Sequence, residues 1–230
     1  DHGLLQNTVI FFFNDHGQRA KGTLYQGGIH DPSIVWRQGG FPCGSRSEVR
    51  VSNIDFAPTI LEIAGVSDPT VTFDGRSFLA ALYGKNDPIH ESLYFEMGFS
   101  RAVLKGKWKY LALRYPERAR NMTLEQRRQL LTTFNARQRE HDKPVFTDDP
   151  SDPFSHISLI PGGAGAEAAS TGKYAAYYDP DQLYDLQNDP GEQVNLAKDP
   201  EYAEQLELMK GELKKYLADL PGGFAELKSD

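Results

Sequence analysis

The fold class of this 230-residue chain is set by a short run near its start, VIFFF at residues 9–13, followed directly by NDHG at residues 14–17. A run of β-branched and aromatic residues without polar alternation is typical of a strand buried on both faces, inside a parallel sheet that helices cover. Such a strand needs neighbours on both sides, and one comparable run follows nearby, SIVW at residues 33–36. We therefore expect further strands from a segment preceding this chain or from a second chain, and we favour the first source.

Composition excludes several classes of protein. The chain has 25 Lys and Arg residues against 32 Asp and Glu, and its net charge of −7 argues against a general nucleic-acid binder. Its single cysteine excludes an internal disulfide framework and a cysteine-based zinc site. Its longest apolar run is far shorter than the roughly 20 residues that a membrane-spanning helix needs. We expect one large or two small globular domains.

The first of two expected domains covers residues 1–88 and is the end of an α/β sheet domain. A helix is predicted over residues 54–64, where apolar residues recur at helical spacing. Asp55 is the expected N-cap, because this start leaves Pro58 in the first turn, where its missing N–H is harmless. The SNID sequence at residues 52–55 resembles a capping box, but a helix that began there would contain Pro58 in its interior.

The second expected domain covers residues 89–230 and has the pattern of a smaller α+β subdomain. Short strands are predicted at residues 92–95, 101–104, 107–111 and 182–186, which would form an antiparallel sheet. Thr123 with Gln126 forms a capping box for a helix that ends near Glu140. Asp199 followed by Pro200 starts a long C-terminal helix. A loop-rich insertion is expected at about residues 114–176.

Three polar residues follow the first strand closely, Asp15, His16 and Lys21. Ligands of open α/β sheets bind beyond the carboxyl ends of the strands, which is where these residues stand. Asp15 offers a carboxylate oxygen and His16 an imidazole nitrogen, and Lys21 can face an anion held near Asp15. A capped turn and a solvated lysine are the alternative interpretations.

Three motifs occur in the order in which one family has them. They are NDHG with KGTLYQGGIHDP at residues 14–17 and 21–32, SNIDFAPTILEIAG with DGRSF at residues 52–65 and 74–78, and LYDLQNDPGEQVNL at residues 183–196. Together they resemble the second half of a type I sulfatase, a member of the alkaline-phosphatase superfamily. The resemblance covers most of the chain apart from about residues 114–176.

The resemblance implies a hydrolase of sulfate esters with a formylglycine nucleophile and a Ca²⁺ or Mg²⁺ ion beside it. It implies that Asp15 and His16 bind the metal ion and that Lys21 contacts the sulfate. A metal ion and an ammonium group would neutralise the sulfuryl oxygens and stabilise charge as the ester bond breaks. The resemblance also implies export to the periplasm, the extracellular space or a lysosome, and an alkaline-phosphatase-like α/β sheet followed by a smaller α+β subdomain.

The nucleophile motif of this family is missing from the sequence. CGSR at residues 43–46 resembles it but lacks the proline and is one residue short, so we interpret Cys43 as an ordinary loop cysteine. Gln26 and His30 stand where relatives commonly have Glu and Arg, and we assign His30 no catalytic role. We expect the nucleophile in a missing N-terminal half, and we expect this chain alone to be inactive.

Two other functions stay open. A phosphodiesterase or phosphonate monoester hydrolase of the same superfamily would share the metal ligands. A non-catalytic module that binds a polyanion or a protein partner is the second alternative. Its motivation is segment 114–143, where eight Lys and Arg residues face four Asp and Glu. This segment could hold a sulfated polysaccharide, although a solvated helix face is the commoner explanation of such charge.

Overall fold

Helices and antiparallel sheets make up the described residues of this computed structural model, which are 2–66, 70–145, 147–152, 172–224 and 227. The strands are β1 Val9–Phe13, β2 Ser33–Arg37, β3 Ser92–Met97, β4 Ser100–Lys105, β5 Trp108–Leu113 and β6 Asp181–Asp185. The α-helices are α1 Gln26–Ile29, α2 Phe56–Ile63, α3 Leu79–Leu82, α4 Glu117–Arg120, α5 Leu124–Glu140 and α6 Ala203–Asp219.

The chain divides into two compact units, which are discontinuous in sequence. The first unit consists of residues 1–15 and 31–93, and the second of residues 16–30 and 94–230. The domain ranges 1–88 and 89–230 remain a prediction. Within the described residues, no helix combines the length and apolar character that crossing a membrane requires.

In the first unit, β1 pairs antiparallel with β2, with Phe11 opposite Val35. The expected burial of β1 on both faces, inside a parallel sheet, is wrong for this chain, since Ile10 is 48% and Phe12 58% exposed. The physical reason is that β1 and β2 form a two-stranded ribbon of which one face is covered. On that face Phe11 packs edge-on against Phe56, with 5.8 Å between the ring centroids. The source of further strands stays a prediction.

Helix α2 begins at Phe56, directly after the expected Asp55, and a 3-10 turn over Asn53–Asp55 precedes it. Asp55 does not cap α2 with its side chain. Instead it forms the capping box with Ser52 that the position of Pro58 argued against. Both features coexist because the short 3-10 turn accommodates the box and leaves Pro58 in the first turn of the α-helix.

In the second unit, the predicted antiparallel sheet is confirmed, with the strand order β3-β4-β5-β6. Its strands register Val103 with Tyr110 and Tyr110 with Leu183, and these side chains form a core with Met209 and Leu213 of α6. Short sequence signals mark the starts of both long helices. Thr123 and Gln126 form the predicted capping box of α5, and Asp199 with Pro200 opens the 3-10 turn before α6.

The insertion expected at about residues 114–176 contains α4 and α5. Residues 146 and 153–171 of this insertion lie outside the described residues.

Candidate functional site

A closed loop over residues 16–30 carries two of the three predicted site residues. The backbone N–H of Gly17 donates to the carbonyl oxygen of Gly28 over 2.8 Å, and that of Ala20 to the carbonyl of Gly27 over 3.0 Å. The chain approaches itself so closely that a Cβ on Gly17 would lie 2.3 Å from the Gly27 oxygen. Glycine is therefore required where the two ends of this segment, here called the His16–His30 loop, meet.

Aromatic and amide groups attach this loop to the sheet of the second unit. The hydroxyl of Tyr25 donates to Oε1 of Gln182 on β6 over 2.7 Å, and the Tyr184 hydroxyl donates to the same oxygen over 2.8 Å. The Tyr25 ring stacks on Tyr174, with 3.6 Å between ring centroids. Burial raises the pKa of Tyr25, so its phenol keeps its proton and acts as a donor at neutral pH.

A buried ion pair is the second attachment of the loop. Nζ of Lys109 lies 2.6 Å from Oε1 of Glu192, and neither side chain is more than 1% exposed. The other carboxylate oxygen, Oε2, accepts the backbone N–H of Gln26 over 2.5 Å. Burial lowers the pKa of Lys109, and the Glu192 carboxylate opposes that shift.

The structure brings His16 and Lys21 onto this one loop, while Asp15 belongs to the first unit. Asp15 is exposed and stands two positions after the last residue of β1. His16 is half-buried, with Nδ1 3.0 Å from the carbonyl oxygen of Gly17. A carbonyl oxygen only accepts, so this contact requires a proton on Nδ1, and in the neutral ring Nε2 then carries the lone pair. Lys21 is exposed and precedes Gly22, whose φ of +80° turns the chain.

The residues that the structure describes provide some of the ligands that a metal site needs. Ca²⁺ takes six to eight oxygen ligands and Mg²⁺ takes six. Among the residues described, no three His, Cys, Asp or Glu side chains converge on one position that could hold an ion. An exposed carboxylate at Asp15 suits a hard cation, and the His16 imidazole adds a nitrogen donor. Further ligands would have to come from other groups.

The remaining sequence candidates have local roles or none. Cys43 is an exposed free thiol. The backbone N–H of His30 donates to the Gln26 carbonyl at the end of α1, and its side chain is exposed. In the basic segment 114–143, three arginines are neutralised by ion pairs, namely Arg114 with Asp181, Arg128 with Glu125 and Arg139 with Asp148.

Sequence reasoning missed Lys109 and Glu192. A signal existed for both, since Lys109 lies within the otherwise apolar run WKYLAL of β5, and Glu192 lies in the third quoted motif. A lysine inside an apolar strand predicts a buried partner of opposite charge. The identity of that partner was not encoded locally, because 83 positions separate the two residues.

Sulfatases recur in the comparisons with known proteins. The model of the family described as Sulfatase matches residues 1–66. An ulvan-active sulfatase from Formosa agariphila is 27% identical over 224 residues, which are 94% of this chain and 34% of that protein. The chain thus spans about a third of the length of this relative.

Solved structures show the same fold at lower identity. BT4656 in complex with its substrate D-glucosamine-2-N,6-O-disulfate superposes with a TM-score of 0.58 and 18% identity, over 94% of this chain and 35% of that one. A phosphonate monoester hydrolase from Agrobacterium radiobacter superposes with a TM-score of 0.54 and 18% identity, over 94% and 35%. The fold is that of the alkaline-phosphatase-like sulfatases, as expected. Residues 1–66 therefore match the sulfatase family model, and 94% of the chain is similar to a sulfatase.

Proposed function

We propose that this chain is part of an enzyme that hydrolyses sulfate esters, in which Lys21 binds the sulfate group. One observation carries the proposal, namely the closed His16–His30 loop, which carries half-buried His16 and exposed Lys21. Hydrogen bonds at the base of the loop restrict the backbone conformation, so the position of the Lys21 backbone is also restricted. A cation held in place in this way stabilises the negative charge that develops as the ester bond breaks.

We further propose that Asp15 and His16 contribute ligands to a Ca²⁺ or Mg²⁺ ion. Such an ion would supply Lewis-acid stabilisation of the negative sulfuryl oxygens. Asp15 would provide a carboxylate oxygen, and the proton on Nδ1 of His16 would leave Nε2 as the donor atom. The ammonium of Lys21 would bind the sulfate oxygens and orient the ester. The nucleophile, a formylglycine, would come from a part of the enzyme that this chain does not contain.

A sulfated saccharide is the substrate class that we propose. Two similarities support it: one relative is an ulvan-active sulfatase, and one structural neighbour was solved with a glucosamine disulfate. Segment 114–143 could add contacts to a polyanion, because Arg118 and Arg120 at the exposed side of α4 take part in none of the three ion pairs described above. Export, which the family resemblance implies, stays a prediction.

A phosphonate monoester hydrolase is the second candidate function, and its support is the structural similarity to such an enzyme. The substrates of both reactions have a tetrahedral anionic centre, so the cations proposed above would serve either reaction. Substrate preference separates them, and it is measured as kcat/KM of the whole enzyme on 4-nitrophenyl sulfate and on 4-nitrophenyl phenylphosphonate. A higher value on the phosphonate ester would make the second function the correct one.

The test of the site uses the whole enzyme and four substitutions. Lys21→Met and Asp15→Asn should each lower kcat/KM for 4-nitrophenyl sulfate by roughly 100-fold, the usual effect of removing one charged group from such a site. Asp15→Asn should also raise the Ca²⁺ concentration needed for half-maximal activity. Lys85→Met and Asp87→Asn remove exposed charges of the same kinds elsewhere and should change neither quantity. Full activity of Lys21→Met would refute the assignment of Lys21.

A further inference from the structure

Two opposite charges are buried together where the His16–His30 loop meets the sheet. Lys109 on β5 and Glu192 in the turn after β6 have exposed fractions of 0% and 1%. Taking two charges out of water often costs as much as their attraction returns, so a well-packed apolar pair is frequently as stable. Global stability is therefore a weak reason for an ion pair at this position, and its geometry indicates another use.

The second carboxylate oxygen of Glu192 connects the pair to the loop. It accepts the backbone N–H of Gln26, the first residue of α1, over 2.5 Å. The residue before it, Tyr25, provides no side-chain cap for this helix. Glu192 thus supplies an acceptor that the start of α1 lacks locally. One carboxylate joins the sheet, through Lys109, to the loop, through Gln26.

Glu192 reaches this position from an unusual backbone conformation. Its φ is +56°, in the left-handed region that few residues other than glycine adopt. The turn that holds it is well bonded: the Glu192 N–H donates to the carbonyl of Asp189 over 3.1 Å, and Oδ2 of Asp189 accepts the N–H groups of Gln193 and Val194. The left-handed conformation costs free energy, and the surrounding hydrogen bonds maintain it. This indicates that the direction of the Glu192 side chain matters.

From Gln26 the contacts continue to the backbone beside Lys21. The carbonyl of Gly27, the next residue, accepts the N–H groups of Arg19 and Ala20 over 3.1 and 3.0 Å. Lys21 follows Ala20 directly. A displacement of Gln26 would therefore reach the backbone next to Lys21 through one residue and one set of hydrogen bonds.

We propose that Glu192, oriented by Lys109, is a positioning residue that fixes the His16–His30 loop and with it the placement of Lys21 and His16. The inference rests on the proposed function for the role of Lys21. The fixing of the loop is a property of this chain alone and has its own readout.

Two double variants, both without charge at positions 109 and 192, separate the loss of the acceptor atom from the loss of the charges. Lys109→Met with Glu192→Leu removes both charges and the acceptor for Gln26. Lys109→Met with Glu192→Gln also removes both charges but keeps an amide oxygen that accepts the Gln26 N–H. Neither leaves an uncompensated buried charge, which would by itself destabilise the fold. Lys105→Met is the control, because it breaks an ion pair with Glu212 that does not involve the loop, and Glu212 keeps its second ion pair with Lys215.

Hydrogen exchange in the 230-residue chain is the first measurement. With Leu at position 192, the amides of Arg19, Ala20 and Gln26 should exchange about tenfold faster, the effect of losing one charge-assisted hydrogen bond. The Gln double variant should exchange more slowly at these amides than the Leu double variant, and Lys105→Met should keep the original rates. Equal rates in the Leu and Gln double variants would overturn the proposal. So would a Leu double variant that fails to fold while the Gln variant folds, since the hydrogen bond to Gln26 would then be required for folding itself.

The KM of the whole enzyme for 4-nitrophenyl sulfate is the second measurement. The Leu double variant should raise KM by roughly tenfold and lower kcat less, because it misplaces a binding group without removing it. Faster exchange with an unchanged KM would overturn the positioning role, provided that Lys21→Met raises KM. An unchanged KM in Lys21→Met would refute the proposed function instead, and the exchange rates would still decide whether Glu192 fixes the loop.

Discussion

Nε2 of His90 lies 2.8 and 2.9 Å from the two carboxylate oxygens of Asp55, a residue with no exposure to solvent. The same carboxylate accepts the backbone N–H of Ser52 over 2.7 Å and that of Arg76 over 2.8 Å. Asp55 thereby links three segments of the first unit that are far apart in sequence. A buried carboxylate with this many donors holds the start of α2 in place.

We predict that Asp55→Asn destabilises the chain by about 3 kcal/mol, because the amide nitrogen of Asn cannot accept any of these hydrogen bonds and one buried donor is left unsatisfied. The measurement is the free energy of unfolding in urea. Asp74→Asn, at an exposed position in the same unit, should change it by less than about 0.5 kcal/mol. Equal effects of the two substitutions would contradict the importance given to the buried carboxylate.

A second prediction concerns two glycines in opposite environments. Gly17→Ala should destabilise the chain by roughly 2 kcal/mol, because its Cβ would overlap the Gly27 carbonyl. Gly211→Ala should stabilise it by about 1 kcal/mol, since Gly211 is an exposed residue inside α6 with open space around a new Cβ. Thermal unfolding of both variants checks the signs, and a stabilised Gly17→Ala would show that the loop is not closed as described.

Asp185 gives a prediction for acid conditions. The hydrogen bond from Lys107 lowers the pKa of this carboxyl, helped by the N–H of Gln187 and the amide of Asn188. The ionised Asp185 carboxylate makes its full contribution to stability above about pH 3.9, the usual pKa of an aspartate. This contribution is lost as the pH falls through the lowered pKa. The stability of Asp185→Asn should therefore fall less steeply below about pH 4 than that of the unchanged chain. Urea midpoints of the two chains at neutral and acid pH measure this, and equal losses of stability on acidification would contradict the prediction.

The 230-residue chain alone should show no turnover of 4-nitrophenyl sulfate, because the proposed nucleophile is outside it. The assay compares the chain with its Lys21→Met variant, so that a contaminating activity is recognised by its equal rate in both. Turnover that needs Lys21 would show that the chain contains its own nucleophile. A chain that folds in the presence of a chelator and binds a sulfated polysaccharide would favour the non-catalytic module.

Features determined by neighbouring residues could be predicted from the sequence. The capping box of Thr123 and Gln126 and the Asp199-Pro200 start before α6 each depend on a side chain and a backbone group a few positions apart. The strands at residues 9–13 and 33–36 were recognised by composition. Their exposure could not be predicted in this way, because burial depends on which surfaces a strand packs against, and a buried and a half-exposed strand can share one sequence.

The candidate site was predictable as a set of residues and less so as a structure. Asp15, His16 and Lys21 follow from strand-end position and family resemblance. The attachment of the loop did not follow, since the hydrogen bond between Tyr25 and Gln182 joins positions 157 apart. Contacts over such distances depend on the register of the sheet, which short motifs do not encode.

The membership of residues 16–30 in the second unit has a consequence for building chimaeras between relatives. A crossover placed after residue 93 would give the loop of one parent the sheet of the other, so Tyr25 and Gln26 would meet foreign residues in place of Gln182 and Glu192. Exchanges that transfer residues 16–30 together with residues 94–230 keep these matched pairs. Recombination between natural homologues is expected to be constrained in the same way.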